Sequence, residues 1–229
     1  MIVLVTGANR GLGLEFVKQY AEDGATVYAC CRNPGAAANL RKISDMAGGK
    51  VSLHGLDIGD ADSIAAFAKG FGREPIDILI NNAGVYGPHS QSADDMDYEG
   101  WANTFAVNTM APLRVAQAFR ANLKAGRAPK LITITSIMGS TAQQPGGYFA
   151  YCSSKAAVNN VMHGLAQQWR DDGILVVLVH PGWVKTDMGG ANAPLEPHES
   201  VAGMRGVIAK LRASDSGRFL DYRGQEIPW

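Results

Sequence analysis

The chain has 229 residues, 46% of them hydrophobic and 18% charged, and its 21 basic side chains are balanced by 21 acidic ones. That length suits one open α/β domain with a large core; the apolar fraction excludes disorder, and the zero net charge excludes the basic footprint of a nucleic-acid or membrane-surface binder. The three cysteines, adjacent Cys30 and Cys31 and distant Cys152, make no disulfide framework, so a reduced, cytoplasmic setting is expected.

The chain opens on Ile2-Val3-Leu4-Val5 with no charged leader, and its longest aliphatic run, Ile174 to Val179, is far short of the ~20 residues of a membrane span. A soluble protein with no membrane partner is expected. Apolar runs at 2–5, 26–29, 51–53, 76–80, 131–135 and 175–179 do not alternate, which predicts strands buried on both faces of a parallel sheet. Helical spacing between them predicts helices over 12–23, 60–72, 98–105, 108–123, 151–171 and 200–211, with Gly24 and Gly173 placed to stop two of them. The Pro and Gly clusters lie in loops and none resembles a linker, so a single doubly wound α/β domain over 1–229, with helices on both faces of the sheet, is expected. The small-residue stretch 189–197 reads either as a mobile lid or as an ordinary connection.

The first predicted strand runs straight into Thr6-Gly7-Ala8-Asn9-Arg10-Gly11-Leu12-Gly13 and then a helix. Glycines there let the backbone turn sharply and approach a pyrophosphate, while the helix terminus supplies partial positive charge. The glycine spacing differs from the usual Gly-x-Gly-x-x-Gly order. Gly7, Asn9, Arg10, Gly11, Leu12 and Gly13 are therefore candidate dinucleotide contacts. After the second strand, where a carboxylate normally receives a ribose 2′-hydroxyl, stands Arg32. Two guanidinium groups, Arg32 and Arg10, suit a 2′-phosphate, so NADP(H) is expected over NAD(H). Asp57-Ile58 and Asn82-Ala83-Gly84 fall at the carboxyl ends of the third and fourth strands, where a ligand crevice opens. Asp57 reads as an acceptor for the adenine amino group or as a helix cap near Ser63.

Ser136 follows the fifth strand, and Tyr151 and Lys155 stand four apart at the start of a predicted helix, on one face. A nearby ammonium is expected to lower the phenol's pKa from its usual value near 10, fitting Tyr151 to general acid–base work. Ser136 is placed to hydrogen-bond the substrate oxygen as charge grows on it, with Ser140 left open as an alternative hydroxyl. Tyr-x-x-x-Lys alone is weak; its weight comes from standing in order behind the glycine loop, the Asn-Asn-Ala-Gly run and the serine.

Taken together, Thr6–Gly13, Asp57, Asn81–Gly84, Asn108, Ser136, Tyr151-x-x-x-Lys155 and Pro181-Gly182-Trp183-Val184-Lys185-Thr186 resemble the short-chain dehydrogenase/reductase family over nearly the whole chain. The segments Gly147–Tyr151 and Ser200–Met204 and the ending Gly224–Trp229 are similar to its C-factor and sniffer-like carbonyl reductase branch. The resemblance implies a Rossmann-type fold, NAD(P) binding and a catalytic set at Asn108, Ser136, Tyr151 and Lys155. It further implies that Lys155 holds the nicotinamide ribose, that Asn108 supports a proton-relaying water, and that Pro181, Gly182, Val184 and Thr186 contact the nicotinamide carboxamide. It implies a homodimer or homotetramer paired through the helices at 108–123 and 151–171. The interval from Ser136 to Tyr151 is two residues longer than the family's commonest spacing.

Tyr86, Met138, Gln143, Tyr148, Trp183 and Met188 gather near the expected nicotinamide end and suit an apolar pocket for a carbonyl compound. His180 reads as a satisfied strand-end histidine, and His54 and His89 lack metal-ligand spacing, so no metal is expected. The function expected is NADPH-dependent hydride transfer to an aldehyde, ketone or quinone-like substrate, with Tyr151 as general acid or base. The alternative is a dinucleotide-binding sensor of the same fold with little turnover.

Overall fold

The computed structural model describes residues 1–229. Seven parallel strands form one sheet: β1 Ile2–Thr6, β2 Thr26–Cys31, β3 Val51–Gly55, β4 Ile78–Asn81, β5 Lys130–Ile134, β6 Leu175–His180 and β7 Phe219–Asp221. Their order across the sheet is β3-β2-β1-β4-β5-β6-β7, so the chain runs outward from β1 to β3 and then crosses back to β4. β1 and β4 are neighbours, with Val3 opposite Ile78, and their outgoing loops part to opposite faces. A crevice opens at such a reversal, outside the carboxyl ends of the strands.

The helices are α1 Gly11–Glu22, α2 Ala38–Met46, α3 Ala61–Phe71, α4 Tyr98–Phe105, α5 Ala111–Ala118, α6 Arg120–Lys124, α7 Phe149–Gln168 and α8 Pro197–Lys210. Alternation along β1 sends Val3 and Val5 to one face and Leu4 to the other. The first face is covered by α1, α2 and α8 through Phe16, Leu40 and Met204. The second is covered by α3, α5 and α7 through Ile64, Val115, Val158 and Met162. No helix is long and apolar enough to cross a membrane.

Four departures from the sequence reading have physical causes. α2 is short and polar on average, with Leu40 its one buried residue, so it offers few apolar positions to mark it. β7 is three residues long, too short for a strand pattern to register. The helix expected over 108–123 is instead a π-helical turn at Ala106–Met110, then α5, a break at Phe119, and α6. α7 starts two residues before Tyr151 and ends at Gln168, after which a short 3₁₀ turn, Arg170–Asp172, leads to Gly173 at φ 70°.

Candidate active site

The glycine loop is held by a polar clamp. Thr6 Oγ1 accepts from the Asn82 and Ala83 N–H groups, both at 3.1 Å, and Asn82 Nδ2 donates to the Thr6 carbonyl at 2.9 Å and the Gly7 carbonyl at 3.2 Å. Gly7 turns at φ 65°, and a Cβ on Gly13 would stand 2.2 Å from the Gly7 carbonyl oxygen, so helix and loop meet only because that side chain is absent. Arg10 precedes α1 in an extended conformation and contributes no side-chain cap. The first N–H groups of α1 therefore point into the crevice unsatisfied, an arrangement suited to an anion.

A cavity of about 850 Å³ runs along the carboxyl edge of the sheet. Of the predicted residues, Gly7, Asn9, Arg10, Gly11, Leu12, Arg32, Asp57, Ile58, Asn82, Ala83, Gly84, Tyr151, Lys155, Pro181 and Thr186 all line it. Its lining fits a dinucleotide: Arg32, Arg10 and Asp57, the uncapped start of α1, and a phenol and an ammonium. Arg32 is exposed. Arg10 is paired with Asp187 at 2.7 Å, across the mouth of the cavity from the loop after β6. Asp57 is not a helix cap: its Oδ1 accepts from the Gly59 N–H at 2.9 Å, and Asp60 caps α3.

Gly13, Gly182, Val184, Asn108 and Ser136 do not line the cavity. Gly13 supports the loop from behind; Gly182, at φ 84°, packs against Leu195 and Tyr222; and Val184 is buried and bridges to Leu195. The stretch after Thr186 is an ordered connection, laced by the Lys185 N–H to the Leu195 carbonyl at 2.9 Å and by Trp183 Nε1 to the Gly189 carbonyl at 2.8 Å.

Asn108 lies in the π-helical turn, and its side chain is consumed by the loop after β4. Oδ1 accepts from the Val85 N–H at 2.9 Å, while Nδ2 donates to the Val85 carbonyl at 2.8 Å and to Ser154 Oγ at 3.0 Å. The extra residue of a π turn re-aims a side chain, here toward the backbone beside Gly84. Gly139 explains how the serine loop reaches α7: a Cβ there would stand 2.8 Å from the Lys155 main chain. Lys155 Nζ donates to the Ile134 carbonyl at 3.1 Å and stands 5.8 Å from the centre of the Tyr151 ring.

The expectation that an ammonium lowers the Tyr151 pKa is corrected. Burial pushes the phenol up to about 12, with only the Ser136 hydroxyl pulling it back, and the same burial brings Lys155 down to about 8. Desolvation is the largest cause at both groups. The Ser136 hydroxyl is the group that lowers the phenol's pKa, while Ser140 is buried with its Oγ unpartnered. His180 is also corrected: its Nδ1 is buried without a hydrogen-bond partner, and burial holds its pKa down to about 4. Tyr86 and Met188 lie against the phenol, with the Tyr86 ring 4.9 Å from that of Tyr151 and Met188 Sδ 4.0 Å from its hydroxyl, and Tyr148 packs edge-on against Tyr86. Thr6 and Gln91 were not singled out as site residues from sequence; Thr6 stood inside the glycine motif, whereas nothing local marks Gln91.

A family model described as short chain dehydrogenase matches residues 1–196. C-signal of Myxococcus xanthus is 46% identical over 165 residues, covering 72% of this chain and 99% of that protein. The NADPH-bound carbonyl reductase from chicken fatty liver superposes with a TM-score of 0.93 at 34% identity, covering 100% of this chain and 94% of that one. Carbonyl reductase Sniffer of D. melanogaster gives 0.92 at 30% identity, over 99% and 98%. The carboxyl-edge crevice, the glycine loop and these relatives agree: the chain belongs to the short-chain dehydrogenase/reductase family of oxidoreductases.

Proposed function

We propose that the protein is an NADPH-dependent carbonyl reductase, acting on an aldehyde, ketone or quinone-like carbonyl, with Tyr151 as the proton donor. The observation that carries this reading is that Tyr151 and Lys155 line one cavity together with Arg32 and Arg10. The reduced nicotinamide supplies hydride to the carbonyl carbon when bound. Tyr151, protonated throughout the neutral range because burial disfavours its phenolate, gives its proton to the carbonyl oxygen. Ser136 donates a hydrogen bond to that oxygen as charge grows there. Lys155, still mostly charged at neutral pH, holds the ribose and favours the phenolate left behind. Asn108 fixes the Val85 turn, and with it Gly84 on the cavity wall, where the ribose would lie.

Arg32 and Arg10 support a preference for NADP(H), since exposed guanidinium groups suit a 2′-phosphate. The apolar surround of Tyr86, Tyr148 and Met188 supports an uncharged substrate. The likeness to C-signal supports a second reading, a dinucleotide-binding signalling protein with little turnover. A homodimer or homotetramer in the cytoplasm completes the proposal. The test is Tyr151→Phe: NADPH binding by fluorescence titration stays within about twofold while kcat over a carbonyl panel falls by about 10²–10⁴-fold. Retained turnover removes the acid role; tight binding by the parent with no turnover supports the signalling reading.

A further inference from the structure

We infer that Gln91 is a positioning residue for the reaction: one buried carboxamide fixes the main chain of Tyr151 with its oxygen and the Tyr86–Pro88 loop with its nitrogen. The inference rests on the reductase reading. Gln91 is only 5% exposed. Its Oε1 accepts from the Tyr151 N–H at 3.0 Å, and its Nε2 donates to the Pro88 carbonyl at 2.9 Å and the Tyr86 carbonyl at 3.3 Å. Its own carbonyl accepts from the Phe149 N–H at 2.9 Å.

An α-helix leaves its first N–H groups without intrahelical acceptors, and a side chain just before the helix normally takes one. α7 has no such cap. Tyr148 precedes it in the left-handed region, at φ 48° and ψ 38°, and offers no side-chain hydrogen bond. Gln91, distant in sequence, supplies the acceptor instead, and it does so at the N–H of the reacting tyrosine itself. The loop after Ser136 meets α7 further along, where Gly139 packs on Lys155 and its carbonyl accepts from Asn159, so at the first turn, which carries Tyr151, Gln91 supplies the side-chain anchor.

The nitrogen end of the amide has a separate consequence. The Tyr86 ring lies 4.9 Å from the Tyr151 ring and packs edge-on to Tyr148 at 5.7 Å, forming the aromatic wall beside the phenol. The two ends of one planar group therefore set proton donor and substrate wall at a fixed separation. Substitutions that keep one end and lose the other should separate turnover from substrate binding.

Gln91→Met keeps the length of the side chain and removes both ends; Gln91→Glu keeps the acceptor for the Tyr151 N–H and loses the amide donor. With Gln91→Met, kcat for a carbonyl that the parent reduces should fall about 100-fold, as for a misplaced catalytic group, with NADPH affinity within about twofold of the parent. Its Tyr151 amide should exchange with solvent about tenfold faster, read by NMR without cofactor. Gln91→Glu should retain Tyr151 amide protection and a kcat about fivefold or more above that of Gln91→Met, while its carbonyl KM rises about threefold or more. An unchanged kcat in Gln91→Met, or a loss that tracks loss of NADPH binding, overturns the inference. So does a Gln91→Glu kcat as low as that of Gln91→Met, and Gln91→Glu decides alone if Gln91→Met does not fold: a fall in kcat with an unchanged carbonyl KM overturns it, whereas a raised KM with the Tyr151 amide protected supports it. Absence of turnover in the parent would instead refute the reductase reading, while the amide-exchange comparison still tests the anchor.

Discussion

Around Gly7 and Gly11, backed by Gly13, the wall of the cavity is main chain brought close by missing side chains, whereas around Tyr151 and Lys155, backed by Asn108, it is set by buried polar side chains held by long-range hydrogen bonds. The first region works by shape and by the unsatisfied N–H groups of α1, and gains nothing from ionisation. The second works by charge placed where water is scarce, and it pays for this in desolvation: Tyr151 is driven up and Lys155 down. A backbone site should therefore fail through steric damage, and a buried polar site should lose function while gaining stability.

The largest effect that would sharpen this contrast is at Gly13. Gly13→Ala places a methyl 2.2 Å from the Gly7 carbonyl oxygen, and an unfolding free energy lower by about 3 kcal/mol or more, with NADPH binding lost, is expected from denaturant titration. Lys155→Met should do the opposite. The folded pKa of Lys155 is about 8 against 10.5 for the free side chain, so between those values the unfolded chain binds more protons and the parent's stability rises with pH. Below pH 8 the full cost of burying the ammonium is present, and its removal should stabilise the protein by about 2 kcal/mol at pH 7 while turnover is lost. A destabilised Lys155→Met would break the contrast.

His180 behaves alike on the acid side. Its pKa is depressed to about 4 from 6.5, so the neutral ring is the native form and stability is lost as pH falls from 6.5 towards 4. His180→Phe should remove about 1–2 kcal/mol of the stability difference between pH 7 and pH 5, measured by urea unfolding. The smallest effect is expected at the mouth of the cavity, where the Arg10–Asp187 pair is 67% and 75% exposed. Asp187→Asn should change stability by less than about 0.5 kcal/mol.

The same division explains what was legible in the sequence. The strands β1 to β6 are announced by consecutive aliphatic residues, and the backbone site by glycines at short spacing, because each is a local property. Tyr151 and Lys155 are legible as a helical pair for the same reason. The environment that sets their ionisation is not: burial desolvates Tyr151 and Tyr86 disfavours its phenolate further, neither of which its own spacing reports, and the direction of its pKa is the reverse of the one the helical pair suggests. Asn108 was identifiable by resemblance, but its hold on Val85 depends on a π turn that no periodicity marks. Gln91 stood unremarked in a polar loop because its partners lie far along the chain.

The sheet ends differently at its two edges. Beyond β7 the chain turns at Asp221–Gln225 and returns along the outer side, with the Ile227 N–H donating to the Phe219 carbonyl at 2.9 Å and Leu220 bridged to Glu226. That edge is already occupied by its own chain, while the outer side of β3, Val51–Gly55, carries no further strand. Unpaired strand groups are the template on which foreign strands add, so in a partly unfolded population β3 is the edge from which aggregation would spread, and β7 is sealed against it.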